Sequence, residues 1–291
     1  MKILNFGSIN IDYVYQVDEF VKSGETIPSK AFQTFLGGKG LNQSVALAHA
    51  GAIVYHAGNI NSKEKSIKDK LKAWNINVEH INETEKPTGH AIIQVNQKGE
   101  NSIIIHGGAN LTITTNQIDE VLKNFKSKDI LLIQNETNNV TEIINKASEK
   151  GMRIFFNPAP MTDEVKTYPI SKINCLILNE TEAINLSGLN NDPNQIIQSI
   201  QTKFPEIAIL LTLGKKGSIY SHKNYYRKSK AKKVKAIDTT AAGDTFIGYF
   251  IANFSNQKKI GDCLEIASIA ASLCVTKKGG AISIPKNNCT N

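Results

Sequence analysis

An α/β protein with a central, mostly parallel sheet flanked by helices is predicted by three features of this sequence. Short apolar runs of strand length alternate with longer helical segments along much of the 291 residues, as parallel strands joined by crossover helices require. Several of these runs end in polar residues, and two glycine-rich stretches open helices. Because ligands bind at the carboxyl edge of such sheets, we expect a functional site there.

Six strands of the central sheet are predicted from apolar runs bounded by polar or turn residues. They lie at residues 2–6, 54–58, 130–134, 153–157, 175–178 and 207–212. The last four end in polar residues, at positions 134–136, 157–158, 179–182 and 212–217. Helices are predicted at residues 63–74 and 263–276. Polar ends on one edge of a parallel sheet are difficult to reconcile with a purely structural protein.

Two segments suit a small, partly exposed sheet rather than the core. Residues 13–35 contain alternating stretches, and the runs at 88–95 and 100–105 alternate on either side of a turn, which predicts a hairpin. We expect a discontinuous lid formed by about residues 11–36 and 88–106. No linker or internal repeat interrupts the chain, so a single domain, 1–291, is predicted.

The first glycine-rich stretch covers residues 37–43, with the sequence Gly-Gly-Lys-Gly-Leu-Asn-Gln, and leads into a helix. Its glycines allow a ligand to approach the backbone, while Lys39 and Asn42 supply hydrogen-bond donors. The polar residues Asn10 and Asp12, which follow the first strand, are expected at the same edge of the sheet. Alone, a glycine-rich helix start is weak evidence, because many are only turns.

The second glycine-rich stretch, residues 238–246, lies between a strand-like run at 234–237 and an apolar run at 246–254. This pattern predicts a turn that opens a helix, where small side chains let backbone N–H groups face one point. Such a turn binds an anion. Asp244 lies at its mouth, where a carboxylate competes with phosphate unless it accepts a proton. The simpler interpretation is that Asp238 and Asp244 only cap the helix.

The composition excludes several classes of protein. No apolar run approaches the ~20 residues of a membrane-spanning helix, so neither a membrane span nor a signal peptide is expected. The cysteines, Cys175, Cys263, Cys274 and Cys289, form no Cys-x-x-Cys pair, and three lie in apolar segments, which favours reduced thiols and a cytoplasmic location. The histidines lack metal-ligand spacing, so no structural zinc is expected.

The net charge of +8 has its main source in one segment, residues 222–237, which contains lysines and an arginine but no acidic residue. A solvated basic face is the simple interpretation. Since the segment ends at the anion-binding turn, steering of a nucleotide polyphosphate is the alternative. A nucleic-acid surface is less consistent with the sequence, because only Tyr225 and Tyr226 offer stacking side chains.

Both glycine-rich stretches resemble signatures of the ribokinase family, also called the PfkB sugar kinases. Residues 238–246 are similar to the family's anion-hole turn, and residues 37–43 to its Gly-Gly-Lys-Gly-Ala-Asn-Gln motif, with Leu41 in place of alanine. The resemblance extends from Asn5 to Pro285 and implies a ribokinase-like fold. The chain departs from the family at residues 58–61, where relatives commonly have Gly-Asp-Asp.

The resemblance implies a role for each matching residue. The catalytic set comprises the base and the anion hole: Asp244, Gly243, Ala242 and Ala241. The sugar-binding set is Asn10, Asp12, Gly38, Lys39, Gly40, Asn42 and Glu136. The nucleotide-binding set is Asn179, Glu182, Thr212, Leu213, Gly214, Lys215, Lys216, Gly217, Gly243 and Ser268. A potassium site is implied at Asp238, Thr240, Cys274, Lys277, Gly279 and Ser283, with magnesium held mainly by phosphates and waters near Glu182.

An ATP-dependent sugar kinase is therefore the expected enzyme, with magnesium as cofactor and potassium as activator. Asp244 takes the hydroxyl proton while the anion hole holds the developing charge. A non-catalytic sugar or nucleotide sensor on the same fold is the other class, and loss of the base would mark it. Neither a nucleic-acid nor a membrane partner is expected, whereas the apolar lid residues Tyr13, Tyr15, Phe32 and Phe35 favour a homodimer.

The acceptor is expected to be a pentose, D-ribose, phosphorylated on its primary hydroxyl. Two carboxylate oxygens of Asp12 suit two neighbouring hydroxyls, and Lys39 and Asn42 donate to the same pair. A kinase of 2-deoxyribose, a hexose or a nucleoside remains the alternative, because the walls of the pocket and the lid decide the acceptor.

Overall fold

The computed structural model describes residues 1–190 and 192–287. The strands in this part of the chain are β1 (Ile3–Phe6), β2 (Asn10–Gln16), β3 (Ala31–Gly37), β4 (Val54–Asn61), β5 (Asn77–Thr84), β6 (Gly89–Val95), β7 (Asn101–His106), β8 (Ile130–Gln134), β9 (Arg153–Asn157), β10 (Cys175–Asn179), β11 (Ala208–Thr212), β12 (Ser218–His222) and β13 (Tyr225–Ser229). The α-helices are α1 (Lys39–His49), α2 (Ser66–Ala73), α3 (Thr115–Leu122), α4 (Val140–Glu149), α5 (Glu180–Ser187), α6 (Pro193–Lys203), α7 (Ala242–Ser255) and α8 (Ile260–Cys274).

Within the described residues, the central sheet has nine strands in the order β13-β12-β11-β10-β9-β8-β1-β4-β5. From β5 to β11 every neighbouring pair is parallel. The two strands at the other edge, β12 and β13, are antiparallel additions. The parallel strands of this sheet therefore present their carboxyl ends at one edge, which we call the carboxyl edge. They are β5, β4, β1, β8, β9, β10 and β11.

Helices cover both faces of this sheet because the strands between them are apolar on both sides. Ile3 and the side chains on its face of the sheet pack against α1, α2, α7 and α8. Leu4 and its face pack against α3, α4, α5 and α6. The chain forms the α/β fold that the alternating pattern predicts, with a mostly parallel sheet between two helical layers.

A second, four-stranded sheet has the order β3-β2-β6-β7. The β6–β7 hairpin was predicted by the two alternating runs, and β2 joins it by pairing in parallel with β6. This small sheet begins where the central sheet ends, because β2 follows β1 after a short connection and β3 leads directly into α1. It is thereby attached to the carboxyl edge.

Several predicted boundaries differ from the structure. The strand predicted at residues 54–58 continues through Asn61, so the segment that departs from the family pattern is part of β4 and pairs with β5. The two helices predicted at residues 63–74 and 263–276 are α2 and α8, which end earlier than predicted.

The strand-like interpretation of residues 234–237 was wrong. No strand is assigned there, and Val234 and Ile237 are exposed. The segment instead contacts the carboxyl-terminal end of α8, where the Ile237 N–H donates a hydrogen bond to the Val275 carbonyl at 2.7 Å. Apolar residues among lysines resembled a strand, but no partner strand lies beside them among the described residues.

Cys175, Cys263 and Cys274 are buried free thiols, and Cys289 lies outside the described residues. None of the helices in the described ranges has the length and apolar character needed to cross a membrane.

Candidate active site

The helices α1 and α7 both begin at the carboxyl edge, and their first turns meet there. Asp244, in the first turn of α7, is only 9% exposed. Its Oδ2 accepts a hydrogen bond from Asn42 Nδ2 at 3.1 Å, and its Oδ1 accepts one from Gln43 Nε2 at 2.9 Å. Two neutral amides therefore hold the carboxylate in one orientation without neutralising its charge.

The turn before α7 has the geometry that an anion site requires. Ala241 adopts a left-handed conformation with φ of 59°, and α7 begins at Ala242. A Cβ added at Gly243 would meet no atom within 4 Å. The glycine is thus not required by the protein's own packing, and the space above it lies beside the first-turn N–H groups of the helix.

Asp12 lies in β2 beside the loop that opens α1. A Cβ added at Gly37 would be 2.0 Å from Asp12 Oδ2, so only glycine leaves room for this carboxylate. Burial, together with the nearby charge of Glu136, raises the pKa of Asp12 to about 6. Asp12 is consequently a carboxylate that lacks a cationic partner strong enough to hold its pKa down.

Glu136 is fixed from two sides. Its Oε2 accepts hydrogen bonds from Ser8 Oγ and, at 2.8 Å, from the Lys39 N–H. Burial raises the pKa of Glu136 although Lys39 and the hydrogen bonds oppose the shift. Gly38 has φ of +90°, and a Cβ at Gly40 would be 2.3 Å from the Ser8 nitrogen, so this loop packs tightly on the end of β1.

Lys39 is the cation shared by the acidic groups of the site. Burial acts to lower its pKa, but the charges of Asp244, Glu136 and Glu182 outweigh burial and raise it. The ammonium therefore stays protonated near carboxylates from three separate parts of the chain. This arrangement places a fixed positive charge near the candidate base.

Asn10 is held by a residue that the sequence analysis did not select. Asn110 Nδ2 donates to Asn10 Oδ1 at 2.7 Å, and Asn110 Oδ1 accepts from the Ile9 N–H at 2.9 Å. Asn110 follows the β6–β7 hairpin, so these bonds tie the small sheet to the end of β1. The Gly-Gly-Ala-Asn sequence after the hairpin was the available signal.

Asn179 and Glu182 form a capping box at the start of α5. Asn179 Oδ1 accepts from the Glu182 N–H at 2.8 Å, and Glu182 Oε2 accepts from the Asn179 N–H at 2.9 Å. Asn179 Nδ2 also donates to Glu182 Oε1 at 2.8 Å. Burial raises the pKa of Glu182, with hydrogen bonding to Asn179 opposing the change. Both side chains thus have a structural role at the carboxyl edge.

The loop after β11 carries the predicted nucleotide residues. Thr212 Oγ1 donates to the Leu178 carbonyl at 3.2 Å, and Lys216 pairs with Glu180 at 3.1 Å on the surface. Gly217 is required by packing, because its φ is +106° and a Cβ would be 1.9 Å from the Ser229 carbonyl oxygen. Leu213 is buried, whereas Gly214 and Lys215 lie exposed in a short 3-10 turn, and Ser268 is buried in α8.

The residues of the predicted cation site converge beside the anion turn. Asp238 accepts hydrogen bonds from the N–H groups of Thr240 and Gly279, each at 2.9 Å. Burial acts to raise the pKa of Asp238, but these bonds outweigh it and lower the pKa. Cys274 Sγ lies 3.1 Å from Ser283 Oγ. Lys277 differs from these residues, because its backbone N–H donates to the Cys274 carbonyl at 3.1 Å and so extends the end of α8.

Three buried amides beneath the site were not selected from the sequence: Gln43, Gln134 and Asn157. Gln43 Nε2 lies between Asp244 and Asn157 Oδ1, the latter at 3.2 Å, and Gln43 Oε1 accepts from Gln134 Nε2 at 2.7 Å. Gln134 and Asn157 end β8 and β9, and polar strand ends were the signal that could have identified them. No group of three or more His, Cys, Asp or Glu side chains within the described ranges is arranged to hold a metal ion.

Comparisons with known proteins agree with this geometry. The family model for pfkB carbohydrate kinases matches residues 1–287. The chain is 37% identical to a ribokinase from Haemophilus influenzae over 96% of its length and 94% of the relative. It is 35% identical to a ribokinase from Staphylococcus aureus, over 98% of the chain and 96% of the relative. The structure of Arabidopsis thaliana ribokinase complexed with ribose and ATP superposes with a TM-score of 0.87 at 28% identity, covering 99% of this chain and 96% of that one.

Proposed function

Because the chain belongs to the pfkB family of carbohydrate kinases, we propose that it phosphorylates D-ribose on its primary hydroxyl, with ATP as the phosphoryl donor. The products are ribose 5-phosphate and ADP. The observation that carries this proposal is the position of Asp244, a carboxylate held by two amides at the start of α7 and beside the space above Gly243.

The reaction needs positioning and charge stabilisation more than covalent chemistry from the protein. The sugar oxygen forms a bond to the γ-phosphorus while the bond from that phosphorus to the bridging oxygen of ADP breaks. Asp244 accepts the hydroxyl proton. The N–H groups of Ala242 and Gly243, at the turn opened by Ala241, stabilise the negative charge that develops on the transferred phosphoryl group.

The sugar lies between the start of α1 and the small sheet. Asp12 accepts hydrogen bonds from two neighbouring hydroxyls of the sugar. These bonds offset part of the burial that raises its pKa to about 6. Lys39, Asn42 and Glu136 complete the polar wall, and Asn10 is presented by Asn110. Gly38 and Gly40 let the loop pack closely on the residues that follow β1, which holds Lys39 and Asn42 beside the sugar.

ATP occupies the carboxyl edge beyond α7, near Thr212, Gly214 and Ser268. The exposed Lys215 and Lys216 are available to a polyphosphate at this edge. The basic segment at residues 222–237 contacts α8, where Lys232 pairs with Glu265 at 2.9 Å. We assign this segment a role in attracting the nucleotide.

Magnesium fits the site only as an ion held mainly by phosphates and waters. Both Glu182 oxygens already accept hydrogen bonds from Asn179, so Glu182 suits a water-mediated contact. When bound, magnesium neutralises charge on the phosphate oxygens. Potassium is proposed at Asp238 and Thr240, where a charged carboxylate lies against the carboxyl-terminal end of α8 and the Gly279 turn.

The small sheet is proposed to act as a lid and as the interface of a homodimer. One of its faces carries Asp12 and therefore faces the sugar. The opposite face carries Tyr13, Tyr15 and Phe32, which pack together with ring centroids 4.9 Å apart for Tyr15 and Phe32. Covering this face in a dimer removes exposed apolar surface. A reducing compartment, the cytoplasm, is proposed because the three described cysteines are free thiols.

A panel of acceptors tests the proposed function. ADP release is measured with ribose, 2-deoxyribose, fructose and adenosine, and we expect the highest kcat/KM with ribose. Loss of the 2-hydroxyl leaves a buried polar group without its partner, so 2-deoxyribose is expected to be poorer by roughly 5-fold to 150-fold. A kcat/KM for any other acceptor equal to that for ribose contradicts the assignment of ribose. No turnover with any acceptor would instead support a sensor.

A further inference from the structure

We infer that Gln43 is a positioning residue for the candidate base, and that a relay of buried amides fixes which end of its side chain faces Asp244. The relay consists of Asn5, Gln134, Gln43 and Asn157, and it lies beneath the site rather than in contact with the expected substrates. The inference rests on the proposed role of Asp244.

The orientation of the relay follows from acceptors that cannot donate. Asn5 Nδ2 is 2.7 Å from the Gly40 carbonyl oxygen, so this end of Asn5 must be the amide nitrogen. Asn5 Oδ1 then needs a donor, which Gln134 Nε2 supplies at 3.0 Å. The second hydrogen on the same nitrogen is donated to Gln43 Oε1 at 2.7 Å. Gln43 is therefore left with its NH2 group directed at Asp244.

A second backbone carbonyl leads independently to the same orientation. Asn157 Nδ2 is 3.1 Å from the Ile177 carbonyl oxygen, so Asn157 Oδ1 faces Gln43 and requires a donor there. Gln43 Nε2 supplies that hydrogen and gives its other one to Asp244 Oδ1. If the Gln43 amide were reversed, its oxygen would face both Asp244 and Asn157 Oδ1, with three acceptors together in a buried place.

The far end of the network is consistent with this direction. His56 is fully buried, and burial lowers its pKa to about 4, so the ring is neutral at pH 7. Its Nε2 lies 3.2 Å from the Gly7 carbonyl and must carry the proton, which leaves Nδ1 to accept from Ser44 Oγ at 2.8 Å. Ser44 Oγ in turn accepts the second hydrogen of Asn5 Nδ2 at 2.8 Å. The donors thus run outward from Gln134 Nε2, through Asn5 and Ser44 to His56 on one side and through Gln43 to Asp244 on the other. Gln134 Oε1 itself has no hydrogen-bond partner among the described residues.

For catalysis, the consequence is that the Asp244 carboxylate faces a hydrogen-bond donor whose amide is held in one orientation. A hydrogen bond to the charged form favours that form, which is the one that accepts a proton from the sugar. The bond also restrains the side chain of Asp244, and misplacement of a reacting group by about 1 Å costs on the order of 100-fold in rate. Gln43 thus acts through Asp244 and is not itself a catalytic residue.

Gln43→Met removes the donor while keeping a similar side-chain volume. For the full-length enzyme we expect kcat with ribose to fall by about 10-fold to 100-fold, with KM for ribose changed by less than about 3-fold. The acid limb of the kcat–pH profile should move to higher pH by about one unit, because the carboxylate loses a stabilising hydrogen bond. Lys39, Glu136, Glu182 and Cys274, the other titratable groups around Asp244, are unchanged in this variant.

Gln134→Met provides a second variant, which keeps the test decisive if Gln43→Met does not fold. Gln134 does not touch Asp244, but its loss removes one of the two restraints on the Gln43 amide while Asn157 keeps the other, so a smaller shift of the acid limb in the same direction is expected. Asn253→Ala is the matched control. Asn253 is a buried amide on α7 that donates to the Tyr249 carbonyl at 2.7 Å, far along the helix from Asp244. The Asn253→Ala variant should lose thermal stability without any shift of the acid limb of its kcat–pH profile.

The outcomes separate this inference from the proposed function. An unshifted acid limb in both relay variants, together with an Asp244→Asn variant that has lost turnover, overturns the positioning role and leaves the base in place. Near-normal turnover of Asp244→Asn removes the base itself. A shift in Asn253→Ala equal to that in Gln43→Met also overturns the inference, since a general loss of stability would then explain both.

Discussion

Asn42 Nδ2 lies 3.1 Å from Asp244 Oδ2, although the two residues are 202 positions apart in the chain. This hydrogen bond joins the first turn of α1, which carries the predicted sugar-binding residues, to the first turn of α7, which carries the predicted base. The two glycine-rich signatures are therefore parts of one site. Their side chains meet because both helices begin at the same edge of the central sheet.

Gly243 provides a test of the anion site that separates catalysis from folding. Gly243→Ala should leave stability unchanged or raise it by up to about 1 kcal/mol, since a Cβ there meets nothing within 4 Å and alanine favours a helix. Turnover should fall at least about 10-fold, because the added methyl occupies space needed by the phosphoryl group. Thermal unfolding and ADP release measure the two effects.

Gly40→Ala is the contrasting control for Gly243→Ala. Its Cβ would lie 2.3 Å from the Ser8 backbone nitrogen, so the loop must shift and stability should fall by about 1 to 3 kcal/mol. Full activity of Gly243→Ala would contradict the assignment of this turn to the transferred phosphate.

Asp12 is predicted to reduce stability at neutral pH. Its pKa is about 6 in the folded protein, above the ordinary value of 3.8. The folded state therefore binds this proton more tightly than the unfolded chain, and the resulting stability is fully present below about pH 4 and is lost as the pH rises through 6. Asp12→Asn should raise the free energy of unfolding at pH 7.5 by on the order of 1 to 3 kcal/mol.

The gain from Asp12→Asn should become small when unfolding is measured near pH 4, close to the ordinary pKa of 3.8, and should vanish at lower pH, where the wild-type carboxyl is protonated in both states. Asp69→Asn is a suitable control, because the Asp69 side chain is 79% exposed and its removal should change little. The same Asp12 variant should bind ribose poorly. Lower stability of Asp12→Asn than of the wild type at pH 7.5 would be inconsistent with a desolvated carboxylate.

The central sheet and both signatures were predictable because they depend on local patterns. Strands β8 and β9 have the predicted bounds, since each is an apolar run that is buried on both faces. The strand β5 was missed because its two buried residues, Val78 and Ile81, are three positions apart and its other residues are polar. The edge strand β13 was missed because its apolar positions, Tyr225 and Tyr226, are exposed among basic residues.

The gathering of these polar residues at the carboxyl edge was predictable from the sequence, but their hydrogen bonds were not. Gln43 stands within a motif that the sequence analysis quoted in full, yet only the packing of α1 against β8 and α7 shows that it contacts Asp244. Likewise, Asn179 and Glu182 resemble nucleotide-site residues in sequence, whereas the structure adds that they cap α5 together. The Gln43–Asp244 pair, 201 positions apart, leaves no spacing signal. The Asn-x-x-Glu spacing of Asn179 and Glu182, by contrast, is a local capping-box pattern.

A monovalent cation is expected to accelerate turnover through Asp238. At matched ionic strength, the rate in potassium should exceed the rates in sodium and lithium, because a larger cation is accommodated by the carboxylate and the backbone carbonyls of the adjacent turn. Asp238→Asn should remove most of this difference. Equal rates in the three salts for the wild-type enzyme would count against the cation site.

If the small sheet forms the homodimer interface, a charge introduced at an exposed isoleucine on that sheet should disrupt the dimer, whereas a charge at an exposed isoleucine elsewhere should not. Ile104, on β7, is 65% exposed, and Ile53, at the opposite edge of the central sheet, is 63% exposed. Ile104→Lys should convert a dimer into a monomer by light scattering, since a charge is introduced into an apolar interface. Ile53→Lys should leave the dimer intact. A wild-type monomer at all accessible concentrations would refute the pairing.

The most direct measurement is the turnover of Asp244→Asn with ribose and ATP, followed by ADP release and compared with nucleotide binding by the same variant. Because asparagine keeps the shape of the side chain but cannot accept the sugar proton, kcat should fall by at least about 100-fold to 10,000-fold. ATP binding and thermal stability should be retained. A variant that binds ATP and phosphorylates ribose at nearly the wild-type rate would show that Asp244 is not the base.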